Sequence, residues 1–125
     1  MKSIENIVLV EDLSKEFETP AGSFEALKNI NLSIKKGELI ILKGVSGSGK
    51  STLLSILGGL DHPTSGKVIV AGESIAKLPD GHLSRFRATK VGIIFQHFNL
   101  IESLRVEDNV IAPLINQNLT LDKVL

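Results

Sequence analysis

Cysteine is absent from all 125 residues, which excludes a disulfide framework and a thiolate metal site and is compatible with a reducing compartment. An excess of either charge is absent too: 14 basic and 14 acidic side chains leave a formal net charge of zero. That balance argues against broad electrostatic capture of nucleic acid or of an anionic membrane surface. No apolar run approaches the roughly 20 residues of a membrane-spanning helix, so any work at a membrane needs another subunit to bring the chain there. The opening Met1-Lys2-Ser3-Ile4-Glu5-Asn6 lacks the apolar centre of a signal peptide. His62, His82 and His97 lack metal-ligand spacing and read as surface or turn histidines. No serine–histidine–acid set has a nucleophile-turn context. What remains is a chain that is 42% hydrophobic, of a length that suits one domain with a real core.

Its most informative stretch is Gly44-Val45-Ser46-Gly47-Ser48-Gly49-Lys50-Ser51-Thr52. An apolar run, Leu39-Ile40-Ile41-Leu42, precedes it, and an apolar-periodic segment beginning Leu53-Leu54-Ser55-Ile56-Leu57 follows it. Strand, glycine-rich loop and helix are the context of a phosphate-binding P-loop, and the pattern G-x-x-x-x-G-K-[ST] is met in full. Glycines permit backbone conformations closed to other residues and let the main chain approach phosphate oxygens. Successive N–H groups then converge on the anion, and the helix start adds the positive end of its dipole. In this pattern Lys50 reaches the β- and γ-phosphates and the Ser51 hydroxyl ligates Mg²⁺. The expected ligand is a nucleoside triphosphate.

Around that loop the pattern alternates between strands and helices. Ile7-Val8-Leu9-Val10 reads as a strand, Thr19 to Ser23 as a turn, and Ile30-Asn31-Leu32-Ser33-Ile34 as a half-buried strand by its strict alternation. Lys35-Lys36-Gly37-Glu38 turns the chain into Leu39–Leu42, apolar on both faces as a central strand should be. The helix after the loop is expected to bury Leu53, Leu54, Leu57 and Leu60, to weaken at Gly58-Gly59 and to stop at Asp61-His62-Pro63. A strand follows at Lys67–Val70, then a turn at Ala71-Gly72. Next comes a weak helix from Pro79 to Lys90, with Leu83 and Phe86 as its apolar pair. Arg85, Arg87 and Lys90 read as a solvated face of that helix. Val91-Gly92-Ile93-Ile94-Phe95 is the second candidate for a buried strand. Beyond a loop from Gln96 to Ser103, a helix runs through Val106, Val110, Ile111 and Leu114, and Pro113 should kink or end it.

With these segments placed, the chain resembles the ATP-binding subunit of ABC transporters, closest to the branch serving lipoprotein release and macrolide export. The likeness rests on Ala26-Leu27-Lys28-Asn29-Ile30-Asn31-Leu32, the P-loop, and Gly59-Leu60-Asp61-His62-Pro63-Thr64-Ser65-Gly66. It extends through Gly92-Ile93-Ile94-Phe95-Gln96-His97-Phe98-Asn99-Leu100 and Asp108-Asn109-Val110-Ile111-Ala112-Pro113-Leu114. It implies an α/β fold: a P-loop NTPase core with an N-terminal antiparallel β subdomain. It also implies ATP and Mg²⁺ as cofactors, and as partners a membrane permease contacted around Gln96 to Leu104 and a second ATP-binding subunit. There is no nucleic-acid partner and no direct membrane insertion in that picture. The location implied is cytoplasmic, peripheral at the inner face of the cell membrane. Phe17, in Leu13-Ser14-Lys15-Glu16-Phe17, falls where the family stacks an aromatic on adenine, with Phe24 the competing candidate. Gln96 falls at the family's Q-loop glutamine, which contacts Mg²⁺ or the attacking water. Two positions depart from the common pattern: Val45 stands where many members carry proline, and Arg105 where a threonine often caps the next helix.

After Gln96 the sequence shows no Ser-Gly-Gly signature segment, no apolar strand ending in Asp-Glu and no switch histidine. The nearest approach, Leu119-Thr120-Leu121-Asp122, is followed by Lys123 where the catalytic glutamate should stand. The expectation is therefore a partial ATP-binding domain over residues 1–125, truncated before the helical signature subdomain. Strands that should flank the P-loop strand are missing from it, leaving buried-type edges unpaired. Such a chain binds ATP–Mg²⁺ and does not hydrolyse it alone. Two readings compete on the P-loop alone. One is another P-loop enzyme such as a small kinase or GTPase, although no Asn-Lys-x-Asp run is present. The other is a non-catalytic interaction module with an idle loop.

Overall fold

The computed structural model describes residues 6–117. The segment 119–122, the nearest approach to an acid-bearing strand, lies outside the described residues. Two long strands, β1 (Asn6–Thr19) and β2 (Gly22–Lys35), form an antiparallel hairpin across the predicted turn. They join β3 (Ser65–Val70) and the two-residue β4 (Glu73–Ser74) in one antiparallel sheet of order β2-β1-β3-β4. Helix α1 (Lys50–Leu57) follows the P-loop, α2 (Asp80–Lys90) follows β4, and α3 (Val106–Ile111) lies near the far end. Among the described residues no helix is long and apolar enough to cross a membrane.

The sheet's inner face depends on a bulge. Val10 and Leu13 are both fully buried although three residues apart, a spacing that plain alternation cannot produce. The register of β1 against β2 shifts between them, and Asp12 takes a φ of 48°. This extra residue returns Leu13 to the core face. Gly66 runs so close alongside that a Cβ there would stand 2.5 Å from the Asp12 carbonyl oxygen. Asn31 secures the kink: its Oδ1 accepts from the Asp12 N–H at 3.0 Å, and its Nδ2 donates to the Asp12 carboxylate at 3.2 Å. β2 keeps the expected alternation, with Ile30, Leu32 and Ile34 half-buried between exposed Asn31 and Ser33.

One core unites these parts: Val10, Leu13 and Leu27 from the hairpin, Val68 and Val70 from β3, Ile75, then Leu53 and Ile56 of α1 and Leu83 and Phe86 of α2. The α2 apolar pair is as expected. The face of α1 is not. Leu53 and Ile56 are buried and Leu57 packs against them, while Leu54 and Leu60 are exposed. Leu60 lies beyond the end of the helix, where Gly59 at φ 69° reverses the chain and the Leu60 N–H donates back to the Ser55 carbonyl. The helical i+7 spacing that grouped Leu60 with Leu53 therefore does not apply.

The two runs expected as buried strands are not strands. Leu39–Leu42 and Val91–Phe95 have no strand pairing, and Leu39, Ile41 and Ile94 are among the most exposed apolar side chains of the molecule. Apolar character on both faces suits a strand only when neighbours pair both its edges and layers cover both its faces. Within the described residues neither run meets such neighbours, which agrees with the expected lack of flanking strands. Pro113 acts as anticipated: α3 stops at Ile111 and the chain tightens into a 3₁₀ turn, Ala112–Gln117.

Candidate functional site

The P-loop owes its shape to its glycines. Gly47 and Gly49 take φ of 78° and 91°, left-handed values that side-chain-bearing residues adopt rarely. Gly49 is also pressed against the hairpin, where a Cβ would stand 2.6 Å from the Ala26 carbonyl oxygen. The space beside Gly47 is open: a Cβ there would meet nothing within 4 Å. Gly49 then acts as the N-cap of α1, leaving the first-turn N–H groups without a side-chain cap.

Lys50 turns back over the loop. Its ammonium donates to the carbonyls of Gly44 and Val45, each at 2.7 Å, and to Ser48 Oγ at 3.1 Å. All three of its donors are thus used by the loop it closes. An incoming phosphate would exchange carbonyl partners for anionic oxygens, which make stronger, charge-assisted hydrogen bonds.

Above the loop lies a cavity of about 370 Å³ lined by Ser46, Gly47, Gly49, Lys50, Ser51 and Thr52 on one side and by Phe17, Phe24 and Ala26 on the other. The hairpin register sets Phe17 directly opposite Phe24, which brings both aromatic candidates to its mouth. Gly44, Val45 and Ser48 complete the loop just outside the lining, and Gln96 is exposed in the segment after α2, also outside it. Gln96 belongs to the unpaired run after Val91, so no sheet edge carries it toward the loop.

Some contacts around the site were not legible in the sequence. Lys15, only 13% exposed, donates to Asp61 Oδ1 at 2.8 Å and to the His62 carbonyl at 2.7 Å. Its ammonium also sits 4.8 Å from the centre of the Phe17 ring. Partial burial pushes the Asp61 carboxyl up, but the Lys15 hydrogen bond, the His62 N–H and both neighbouring charges outweigh this and hold it below the usual aspartate value. Arg87, expected on a solvated face, instead donates to the Gly59 carbonyl at 2.6 Å and ties α2 to the turn after α1. His62 is a half-buried turn residue whose Nε2 lies 3.0 Å from the Leu78 carbonyl oxygen. Arg105 caps α3 without a side-chain hydrogen bond, as its identity suggested. Asn109 compensates, with its Oδ1 accepting from the Ile101 N–H and its Nδ2 donating to the Ile101 and Leu104 carbonyls.

Comparison with known proteins shows what the chain is similar to. It matches the family described as ABC transporter over residues 27–125. It is 48% identical over 107 residues to the macrolide export ATP-binding/permease protein MacB of Campylobacter fetus, an alignment covering 86% of this chain and 17% of that protein. It is 44% identical over 108 residues to the methionine import ATP-binding protein MetN 2 of Enterococcus faecalis, covering 86% of this chain and 31% of the relative. Among solved structures, it superposes with a TM-score of 0.87 on the ATP-binding cassette MJ0796 of Methanocaldococcus jannaschii in a dimeric post-hydrolysis state bound to ADP and Pi. That match has 39% identity and covers 94% of this chain and 52% of the cassette. The chain thus spans about half of the solved cassette and less of the two curated relatives.

Proposed function

The chain belongs to the ABC transporter family, and from that premise we propose that these residues carry the phosphate- and base-binding part of an ATP–Mg²⁺ site that serves a membrane permease. The observation that carries the reading is the P-loop itself. Gly47 and Gly49 hold left-handed backbone, Lys50 stands at the head of α1, and both aromatics of the hairpin share one cavity with them. The loop N–H groups and the α1 terminus bind phosphate oxygens, Lys50 neutralises the outer phosphates, and an aromatic ring of the hairpin receives the base. Ser51 fits Mg²⁺: its hydroxyl is a hard oxygen donor in the cavity lining, and this ion takes few protein ligands beside phosphate and water. When bound, the ion offsets the negative charge of the phosphates. Among the described residues no carboxylate lines the cavity, so binding rather than hydrolysis is what these residues support by themselves.

Gln96 enters this reading through the family resemblance, as a contact to Mg²⁺ or water made when its segment is brought to the site. The permease and a second ATP-binding subunit are partners on the same basis, and the location is cytoplasmic, peripheral to the membrane. The relatives are named for both export and import, which suits a nucleotide module whose transported substrate is chosen by the permease.

Thermal unfolding with and without ATP–Mg²⁺ tests the reading. Ligand at about a hundred times its Kd stabilises by roughly 2.7 kcal/mol, a rise of several °C in Tm for a chain of this size. Lys50→Ala should weaken ATP binding roughly ten- to a hundredfold, because it removes charge-assisted hydrogen bonds. Absence of protection in the unmodified chain, or equal protection in Lys50→Ala, would overturn the proposal.

A further inference from the structure

Phe17 and Phe24 face each other across the hairpin and line the same cavity, yet their surroundings differ. Phe24 is 56% exposed and Phe17 38%. Among the described residues a cation stands over the ring of Phe17 alone of the two, the Lys15 ammonium at 4.8 Å from the ring centre. Phe17 lines the cavity and Lys15 is outside its lining. Lys15 is itself held, bonded to Asp61 Oδ1 and the His62 carbonyl in the turn that ends α1. That turn has its own anchor, since the Asp61 carboxylate also accepts from the His62 N–H at 2.7 Å.

We propose that Lys15, clamped by Asp61 and the His62 carbonyl, is a positioning residue that fixes Phe17, and not Phe24, as the platform for the base of the nucleotide. The inference rests on the nucleotide-binding reading above and deepens it. A stacking ring contributes most when its orientation is set before the ligand arrives, because the ordering cost then falls outside the binding step. A phenylalanine on a strand end has two free torsions, and a clamped cation over its ring removes part of that freedom. The same clamp joins the base side of the site to the C-terminal turn of α1, the helix whose N-terminus receives the phosphates. The two halves of the ligand are thereby registered to one rigid element. In the sequence the connection is invisible, because Lys15 and Asp61 lie 46 positions apart.

Affinities for ATP and for inorganic tripolyphosphate, measured by calorimetry on the same 125-residue preparations, test this. Tripolyphosphate has no base, so the ratio of the two affinities reports base recognition and is unmoved by any fraction of unfolded protein. Lys15→Met, which keeps the apolar stem, should weaken ATP about fivefold and tripolyphosphate less than about twofold, and Lys15→Arg should recover the ratio. In a Phe17→Ala background Lys15→Met should leave the ratio unchanged, whereas in Phe24→Ala it should still lower it. An unchanged ratio in Lys15→Met, or an equal effect with Phe17 removed, would overturn the proposal. Failure of the unmodified chain to bind either ligand would instead sink the nucleotide-binding reading on which this one stands.

Discussion

Asp61 shows what one residue adds to this site. It is hydrogen-bonded to Lys15 and to the His62 N–H, and its carboxyl is held below the ordinary aspartate range despite the opposing effect of burial. A depressed folded value means that the carboxylate form favours the folded state. The stabilisation is therefore complete above the unfolded-chain value, near about pH 4, and is lost as pH falls through the lower folded value. Melting temperatures recorded from pH 7 to pH 2 for the unmodified chain and Asp61→Asn should differ at neutral pH and converge at the acid end. A constant difference across that range would show that the ion pair plays no part. Gly49 makes a different single-residue point. Its φ of 91° and the 2.6 Å approach a Cβ would make to the Ala26 carbonyl oxygen bind the loop's shape to the hairpin as well as to the phosphate motif.

Among the elements, α2 was a weak helix by pattern and proves central to the packing. Its Phe86 is 1% exposed and lies against Gly59, where a Cβ would come within 3.1 Å of the ring. Arg87 reinforces the same junction through the Gly59 carbonyl. Phe86→Ala should destabilise the chain by about 3–5 kcal/mol, since the ring fills the core between α2 and the turn after α1. Chemical denaturation at fixed temperature measures this directly, and a loss under about 1 kcal/mol would mean that α2 is a peripheral attachment. Periodicity made the existence of β2, β3 and α2 readable, because alternation and i, i+3 spacing are local consequences of strand and helix geometry. The bulge at Asp12 was not readable. Its signal is a register shift between β1 and β2, which exists only once the strands are paired.

The whole molecule exposes 9942 Å² of surface, against about 6500 Å² expected for a compact monomer of its 13.5 kDa mass. Leu39–Leu42 and Ile94 contribute to the difference, and they are segments whose composition suits a sheet interior. Exposed apolar runs without paired edges promote association between copies. The 125-residue chain should therefore self-associate at micromolar concentration, and Ile94→Asp should reduce that association while shifting Tm by less than about 3 °C, because Ile94 is fully exposed. Sedimentation velocity on both proteins checks this. Identical sedimentation of the two would place the sticky surface elsewhere.

The glycine-rich loop, the hairpin's turn, the helices and the family are all legible in the sequence. Each of these rests on short-range chemistry: glycine at left-handed positions, apolar spacing at 2 or 3.6 residues, and a lysine at a helix start. Which apolar runs are covered follows from tertiary packing, since cover depends on neighbours and not on the run itself. The same limit applies to the site. Spacing identified Gly44 to Thr52, but the convergence of Phe17 and Phe24 on that loop, and the clamp of Lys15 on Asp61, are contacts between segments distant in sequence. Gln96 was marked by its neighbours along the chain, and it is exposed outside the cavity lining, after a run that has no strand pairing among the described residues.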